Sequence, residues 1–167
     1  MTIAYLSLGS NIDRRRHISS GIEHLKDKCG ALEMSSVYES ESVGFDGDKF
    51  YNMIVKIECD LTLDELSKCL KKIEDDNGRE RVGPRFSSRT LDIDIVLFGT
   101  LIGIHNDIEL PRPELYYNAF VLLPMAELAS DERDPKTGST FSQLWTKIKP
   151  SIESQQKIWK VEFLPSI

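Results

Sequence analysis

No run of apolar residues in this 167-residue chain reaches the roughly 18 that a membrane-spanning helix requires. Cysteine is scarce: the three present, Cys29, Cys59 and Cys69, are far apart, odd in number and never spaced C-x-x-C. That pattern excludes a disulfide framework or a cysteine-based zinc site and fits free thiols in a reducing compartment. Positive charge is also in deficit. The formal net charge is −6, whereas a general nucleic-acid binder carries a basic footprint. The first residues, MTIAYLSLGSN, lack the basic-then-apolar order of a secretory leader. These absences point to a cytoplasmic protein with no membrane or nucleic-acid partner, and no obligate protein partner is evident. Phosphate-binding signatures are missing too. There is no G-x-x-x-x-G-K-[ST], no kinase-type glycine loop and no H-R-D.

Against that acidic background, residues 79–94 read RERVGPRFSSRTLDID. Arg79, Arg81, Arg85 and Arg89 lie in a segment broken by Gly83, Pro84, Ser87 and Ser88. A guanidinium fork grips phosphate oxygens bidentately, and glycine, proline and serine suit a lid that closes on phosphate. Phe86 stands alone among the arginines, as a core anchor or as a ring that stacks on a flat substrate. Asp92 and Asp94 follow, two apart, and on a strand they share one face. The apolar neighbours Leu91, Ile93, Ile95, Val96 and Leu97 mark that strand as largely buried. Two carboxylates there repel each other and lose hydration, and a divalent cation relieves both costs. Hydrogen bonds from the neighbouring arginines, without metal, are the competing explanation.

The remaining pattern places these residues in a fold. Residues 3–8 form an apolar run that enters a turn at Gly9-Ser10-Asn11. Asp13 is expected to cap a helix whose Ile18, Ile22 and Leu25 share a face and which Gly30 ends. Residues 32–41 read as a weakly patterned strand, and residues 42–49 as a loop. Met53, Val55, Ile57 and Cys59 alternate with Lys56 and Glu58, which indicates a strand. Thr62 and Glu65 make a capping box ahead of the stripe Leu63, Leu66, Leu70 and Ile73, and Gly78 stops that helix. Residues 93–98 form a further strand. The order β-α-β-β-α-β predicts an α+β fold of ferredoxin-like type, an antiparallel sheet with helices on one face. Additional C-terminal helices are expected at residues 120–128 and around Phe141, Leu144, Trp145 and Ile148. One domain over residues 1–167 is expected, with residues 131–167 the least clearly patterned. His17, His24 and His105 have no metal-ligand spacing, and Trp159 reads as a packing residue.

Taken together, AYLSLGSN, SSVYES, FYNMIV, RTLDIDIVLFG and LPRPELYYNAFVLLPMAELA resemble the 6-hydroxymethyl-7,8-dihydropterin pyrophosphokinases of folate biosynthesis. RTLDIDIVLFG carries most of the specificity. The resemblance implies transfer of the β,γ-pyrophosphoryl group of ATP to the pterin hydroxymethyl group, with release of AMP. It implies that Asp92 and Asp94 bind two Mg²⁺ ions, and that ATP is the co-substrate. Arg79, Arg81 and Arg89 match phosphate-contacting positions, Arg79 and Arg89 among the catalytic group. Glu74 matches a residue near ATP, and Ile95 and Ile108 match positions lining the adenine site. On the pterin side, Asn52 matches the residue at the heterocycle edge, and Phe120 a ring that sandwiches it. Phe50, Phe86, Ser40, Val43 and Gly44 match other pocket positions, and Asp92 also borders this substrate. A flat heterocycle with a polar edge does call for aromatic faces and a carboxamide.

Three positions depart from the family pattern. Arg112 stands in place of a histidine beside the ATP phosphates, Ser87-Ser88 in place of Gly-Pro, and Asn118-Ala119 where arginines are common. Two rival readings share the fold class. A palm-like metal-dependent nucleotidyl transferase or cyclase would release pyrophosphate and would not need Asn52 with Phe120. An RNA-binding module would want exposed aromatics on the sheet and a basic surface, where this chain has carboxylates.

Overall fold

The computed structural model describes residues 1–41, 47–78, 90–153 and 155–163. Its elements run β1 (Thr2–Ser10), α1 (Arg14–Cys29), β2 (Glu33–Met34), β3 (Val37–Ser40), β4 (Phe50–Cys59) and α2 (Leu63–Asp76). They continue with β5 (Asp92–Phe98), β6 (Gly103–His105), β7 (Ile108–Leu110), a 3₁₀ turn (Pro113–Tyr116), α3 (Ala119–Leu128), α4 (Phe141–Glu153) and β8 (Ile158–Val161). The main sheet has the order β5-β1-β4-β3-β8, with β2 also on β4, and every pairing is antiparallel. β6 and β7 form a separate hairpin. The α+β class and the antiparallel sheet are as the sequence predicts.

The sheet is covered on both faces. On one, Ile18, Ile22 and Leu25 of α1 and Leu63, Leu66, Leu70 and Ile73 of α2 pack against Leu6, Leu8, Val55, Ile57, Ile93 and Ile95. On the other, Val121, Leu122 and Met125 of α3 and Phe141 and Leu144 of α4 pack against Tyr5, Ile54, Val96 and Leu97. This corrects the expectation of helices on one face. It also explains why Ile54 and Val55, neighbours that point in opposite directions, are both fully buried: a strand covered on both faces has no solvent side.

Local signals behave unevenly. The capping box at Thr62 and Glu65 is fully formed, and Gly30 and Gly78 take positive φ where α1 and α2 end, as C-terminal glycines do. Asp13 occupies the N-cap of α1, but in the left-handed region and without a side-chain cap, so the expected carboxylate cap is not made. Residues 32–41 split into β2 and β3, because Ser35 turns inward between them. Its N–H donates to Ile54 O, and its hydroxyl accepts the Ile54 N–H. Sequence reading did not anticipate β8, which pairs with β3 from Val37↔Val161 to Ser40↔Ile158. Among the described residues, no helix is long and apolar enough to cross a membrane.

Candidate active site

One row of the sheet gathers the polar residues. Gly9 of β1 lies opposite Asn52 of β4 on one side and opposite Asp92 of β5 on the other. Ser7 and Asp94 are opposite each other one step along the same face. Directly opposed residues project from the same side of a sheet, so Asp92, Asp94 and Asn52 share a face. Two strand spacings separate Asp92 from Asn52, about 10 Å. Gly9 adds no side chain between them. Its φ is ordinary, since it is not among the positive-φ glycines, so size and not backbone conformation distinguishes it. A Cβ there would come within 3.5 Å of Asn52 Oδ1 and 3.9 Å of Phe50 Cδ1.

At the β4 end of the row, Asn52 Nδ2 donates to Ser40 Oγ at 2.7 Å, and both side chains are buried. This bond fixes the carboxamide plane. Ser40 lies opposite Phe50 in the β3–β4 pairing, two residues along from Tyr38↔Asn52. Phe120 belongs to the first turn of α3 and packs, partly buried, against the core on this same side of the sheet. The helix start is held from the far end of the sequence: Gln156 Oε1 accepts the Ala119 N–H at 2.8 Å, while its Nε2 donates to Tyr117 O. Asn118, at the N-cap, supplies no side-chain cap. Gln156 and Gly9 were both missed by sequence reading. Gln156 has no local signal, and Gly9 was read only as part of a turn. The turn starts later than expected: Gly9 and Ser10 are the last residues of β1, and the bend begins at Asn11, with Ser10 Oγ donating to Ile12 O and Asn11 Nδ2 to Asp48 O.

At the β5 end, burial and then the neighbouring Asp92 push the Asp94 carboxyl well above its ordinary value, with Arg112 pulling the other way. Arg112 Nη2 lies 3.5 Å from Asp94 Oδ2, and its Nε pairs with Glu114 Oε2. Glu74 reaches this strand from α2. It is buried, and its Oε2 accepts the Ile93 N–H at 2.9 Å, between the two aspartates. Ile95 is buried on the opposite face, in the core beneath α1 and α2, and Ile108 packs partly buried against that same core. The structure therefore brings together Ser40, Phe50, Asn52, Asp92, Asp94, Arg112 and Phe120 on one side of the sheet. Glu74, Ile95 and Ile108 lie toward the other. Val43, Gly44, Arg79, Arg81, Arg85, Phe86, Ser87, Ser88 and Arg89 fall outside the described residues.

Among the described residues, no group of three or more histidine, cysteine, aspartate or glutamate side chains could hold a metal ion. The Asp92–Asp94 pair nevertheless suits magnesium, which is held by one or two carboxylates together with substrate phosphates. Burial first, and then the second carboxylate beside it, push Asp94 up, and a divalent cation would relieve both costs.

Comparisons with known proteins show the family. The family profile described as 7,8-dihydro-6-hydroxymethylpterin-pyrophosphokinase (HPPK) matches residues 5–130. A relative in Bacillus subtilis (strain 168), named 2-amino-4-hydroxy-6-hydroxymethyldihydropteridine pyrophosphokinase, is 34% identical over 145 residues, covering 84% of this chain and 86% of that protein. The Folic acid synthesis protein FOL1 of Dictyostelium discoideum is 35% identical over 147 residues, covering 85% of this chain, and the chain spans only 22% of its length. In structure, the chain resembles Plasmodium falciparum HPPK-DHPS with a TM-score of 0.63 at 16% identity, over 93% of this chain and 45% of that one. That likeness concerns the fold.

Proposed function

The chain belongs to the 7,8-dihydro-6-hydroxymethylpterin-pyrophosphokinase family, and on that footing we propose that it transfers the β,γ-pyrophosphoryl group of ATP to 6-hydroxymethyl-7,8-dihydropterin, releasing AMP in folate synthesis. The observation that carries this reading is the row Asn52–Gly9–Asp92. It offers a carboxamide at one end, a carboxylate pair at the other and a residue without a side chain between. A pterin edge held at Asn52 extends its hydroxymethyl arm along Gly9 toward the carboxylates. Asn52 both donates and accepts, as the heterocycle edge requires, and Phe120 offers a ring from the α3 side.

Asp92 and Asp94 fit magnesium, two ions in our reading, which when bound neutralises phosphate charge and orients in-line attack. The chain's own part is positioning, which can supply several kcal/mol of a barrier of this kind, on the order of 7–11 in well-oriented reactions. Asn52 and Phe120 fix the acceptor. Arg79, Arg81 and Arg89 are assigned to the phosphates, Arg79 and Arg89 as catalytic groups, and Phe86, Val43 and Gly44 to the pterin side. Glu74 serves the site by holding β5; of the two isoleucines matched to the adenine site, Ile108 is only partly buried and is assigned there, while the Ile95 side chain lies in the core on the opposite face. We read the β5-β1-β4-β3 order as a ferredoxin-like core carrying α3, α4 and β8 as additions, the whole chain acting as one domain. The nature of the products tests the function. Pterin-dependent AMP without free pyrophosphate supports it, whereas release of pyrophosphate would favour a nucleotidyl transferase.

A further inference from the structure

Arg112 is tied at three points. Its backbone N–H donates to Val96 O at 2.9 Å, which fixes it beside β5 whatever its side chain does. Its Nε pairs with Glu114. Its Nη2 lies 3.5 Å from Asp94 Oδ2. The pair is not sealed: about a third of the Arg112 side chain and a quarter of that of Asp94 are exposed, so an arriving ligand can reach both. A guanidinium this near a carboxylate repels a second cation, and a small divalent ion competing for Asp94 must first displace it. A polyphosphate removes that obstacle, because its oxygens match the guanidinium fork at least as well as a carboxylate does.

We propose that Arg112 is a resident cation of Asp94, holding it in the nucleotide-free protein and releasing it only when a divalent metal arrives with a polyphosphate that takes the guanidinium in exchange. This rests on the metal role assigned above to Asp94. Glu114 keeps hold of Nε during the exchange, so the guanidinium has only to turn. The device makes metal and nucleotide bind as a unit. The free protein takes up metal alone weakly, and the carboxylates do not fill with ions that lack a substrate.

Manganese titrated alone into the nucleotide-free protein, with free Mn²⁺ read by electron paramagnetic resonance, tests this. Arg112→Ala is expected to bind Mn²⁺ at least about fivefold tighter than wild type, the lower end of ordinary coupling between sites. Arg112→Lys, which keeps the charge, is expected to stay near wild type. A non-hydrolysable ATP analogue should then strengthen Mn²⁺ binding less in Arg112→Ala than in wild type. Unchanged or weaker Mn²⁺ binding by a folded Arg112→Ala would overturn the proposal. If Arg112→Ala does not fold, Glu114→Gln serves instead. It removes only the second anchor and is expected to lower Mn²⁺ affinity by leaving the guanidinium wholly to Asp94; no change would count against the exchange. Asp94→Asn separates the two levels of the argument. Loss of Mn²⁺ binding there with no effect of Arg112→Ala sinks the exchange alone, while unaltered binding in Asp94→Asn sinks the metal assignment with it.

Discussion

Glu74 and Ile93 are joined across two elements: the buried carboxylate on α2 accepts the Ile93 N–H at 2.9 Å. β5 is the edge of the sheet, so this N–H faces away from β1 and would otherwise have no strand to bond. The bond falls between Asp92 and Asp94, which makes the spacing of the pair depend on a helix packed against the opposite face. Glu74→Ala leaves a buried donor unsatisfied and is expected to cost about 1–3 kcal/mol in urea unfolding. Glu74→Gln retains an acceptor and is expected to lose clearly less. Equal losses would mean that the charge of Glu74, and not the bond to β5, matters.

Asn52 is held by Ser40 at 2.7 Å, so its carboxamide is already oriented before any ligand arrives. Asn52→Ala should weaken pterin binding by tenfold or more, about 1.4 kcal/mol, and leave ATP binding little changed. Calorimetric titration of each ligand separately would detect this. Comparable loss of both would place the pterin elsewhere.

Gly9 is the member of the row that carries no side chain. Ala at this position meets its neighbours at ordinary contact distance, so Gly9→Ala is expected to fold normally. Gly9→Leu extends a side chain into the space between Asn52 and Asp92 and is expected to raise the pterin KM sharply while the melting temperature of the protein moves little. An unaffected pterin KM in a folded Gly9→Leu protein would remove the row from the substrate path.

Glu127 on α3 staples the far edge of the sheet. It accepts from Ser36 N and Oγ and from Tyr38 OH, and pairs with Lys160 of β8. Burial pushes its carboxyl up, but the Ser36 hydroxyl and N–H and the Lys160 ammonium outweigh that, and it ends below its ordinary value of 4.5. A carboxyl lowered in the folded state binds fewer protons there than in the unfolded chain. Its stabilisation is therefore present above the ordinary value and is lost as pH falls through the folded one. Glu127→Gln should be less stable than wild type at neutral pH, with the gap closing below about pH 4. Parallel stability curves across that range would show the network to be inert.

What the sequence made legible follows from range. The alternation at Met53, Val55, Ile57 and Cys59, the box at Thr62 and Glu65, and the same-face spacing of Asp92 and Asp94 are all set within a few residues. Each is found in the structure. The contacts that build the rest join distant parts of the chain. Gln156 reaches Ala119, Glu127 reaches Ser36, and Trp159 Nε1 donates to Glu39 on β3. No local pattern announces a strand such as β8, whose Ile158 and Val161 are only half-buried. Asp13 does not act as a side-chain cap: its backbone is left-handed, and its carboxylate lies beside the Arg16 guanidinium of α1. For the site, the acidic pair and Asn52 could be named from residue type and spacing. That they belong to one row, with Gly9 between, is a property of strand register.

The most direct test of the account follows the β-phosphorus of ATP. With β-labelled ATP, Mg²⁺ and 6-hydroxymethyl-7,8-dihydropterin, the protein should place the label on the pterin together with an equal amount of AMP, and Asp92→Ala should keep the fold and place none. Label appearing as free pyrophosphate, or undiminished transfer by Asp92→Ala, would contradict it.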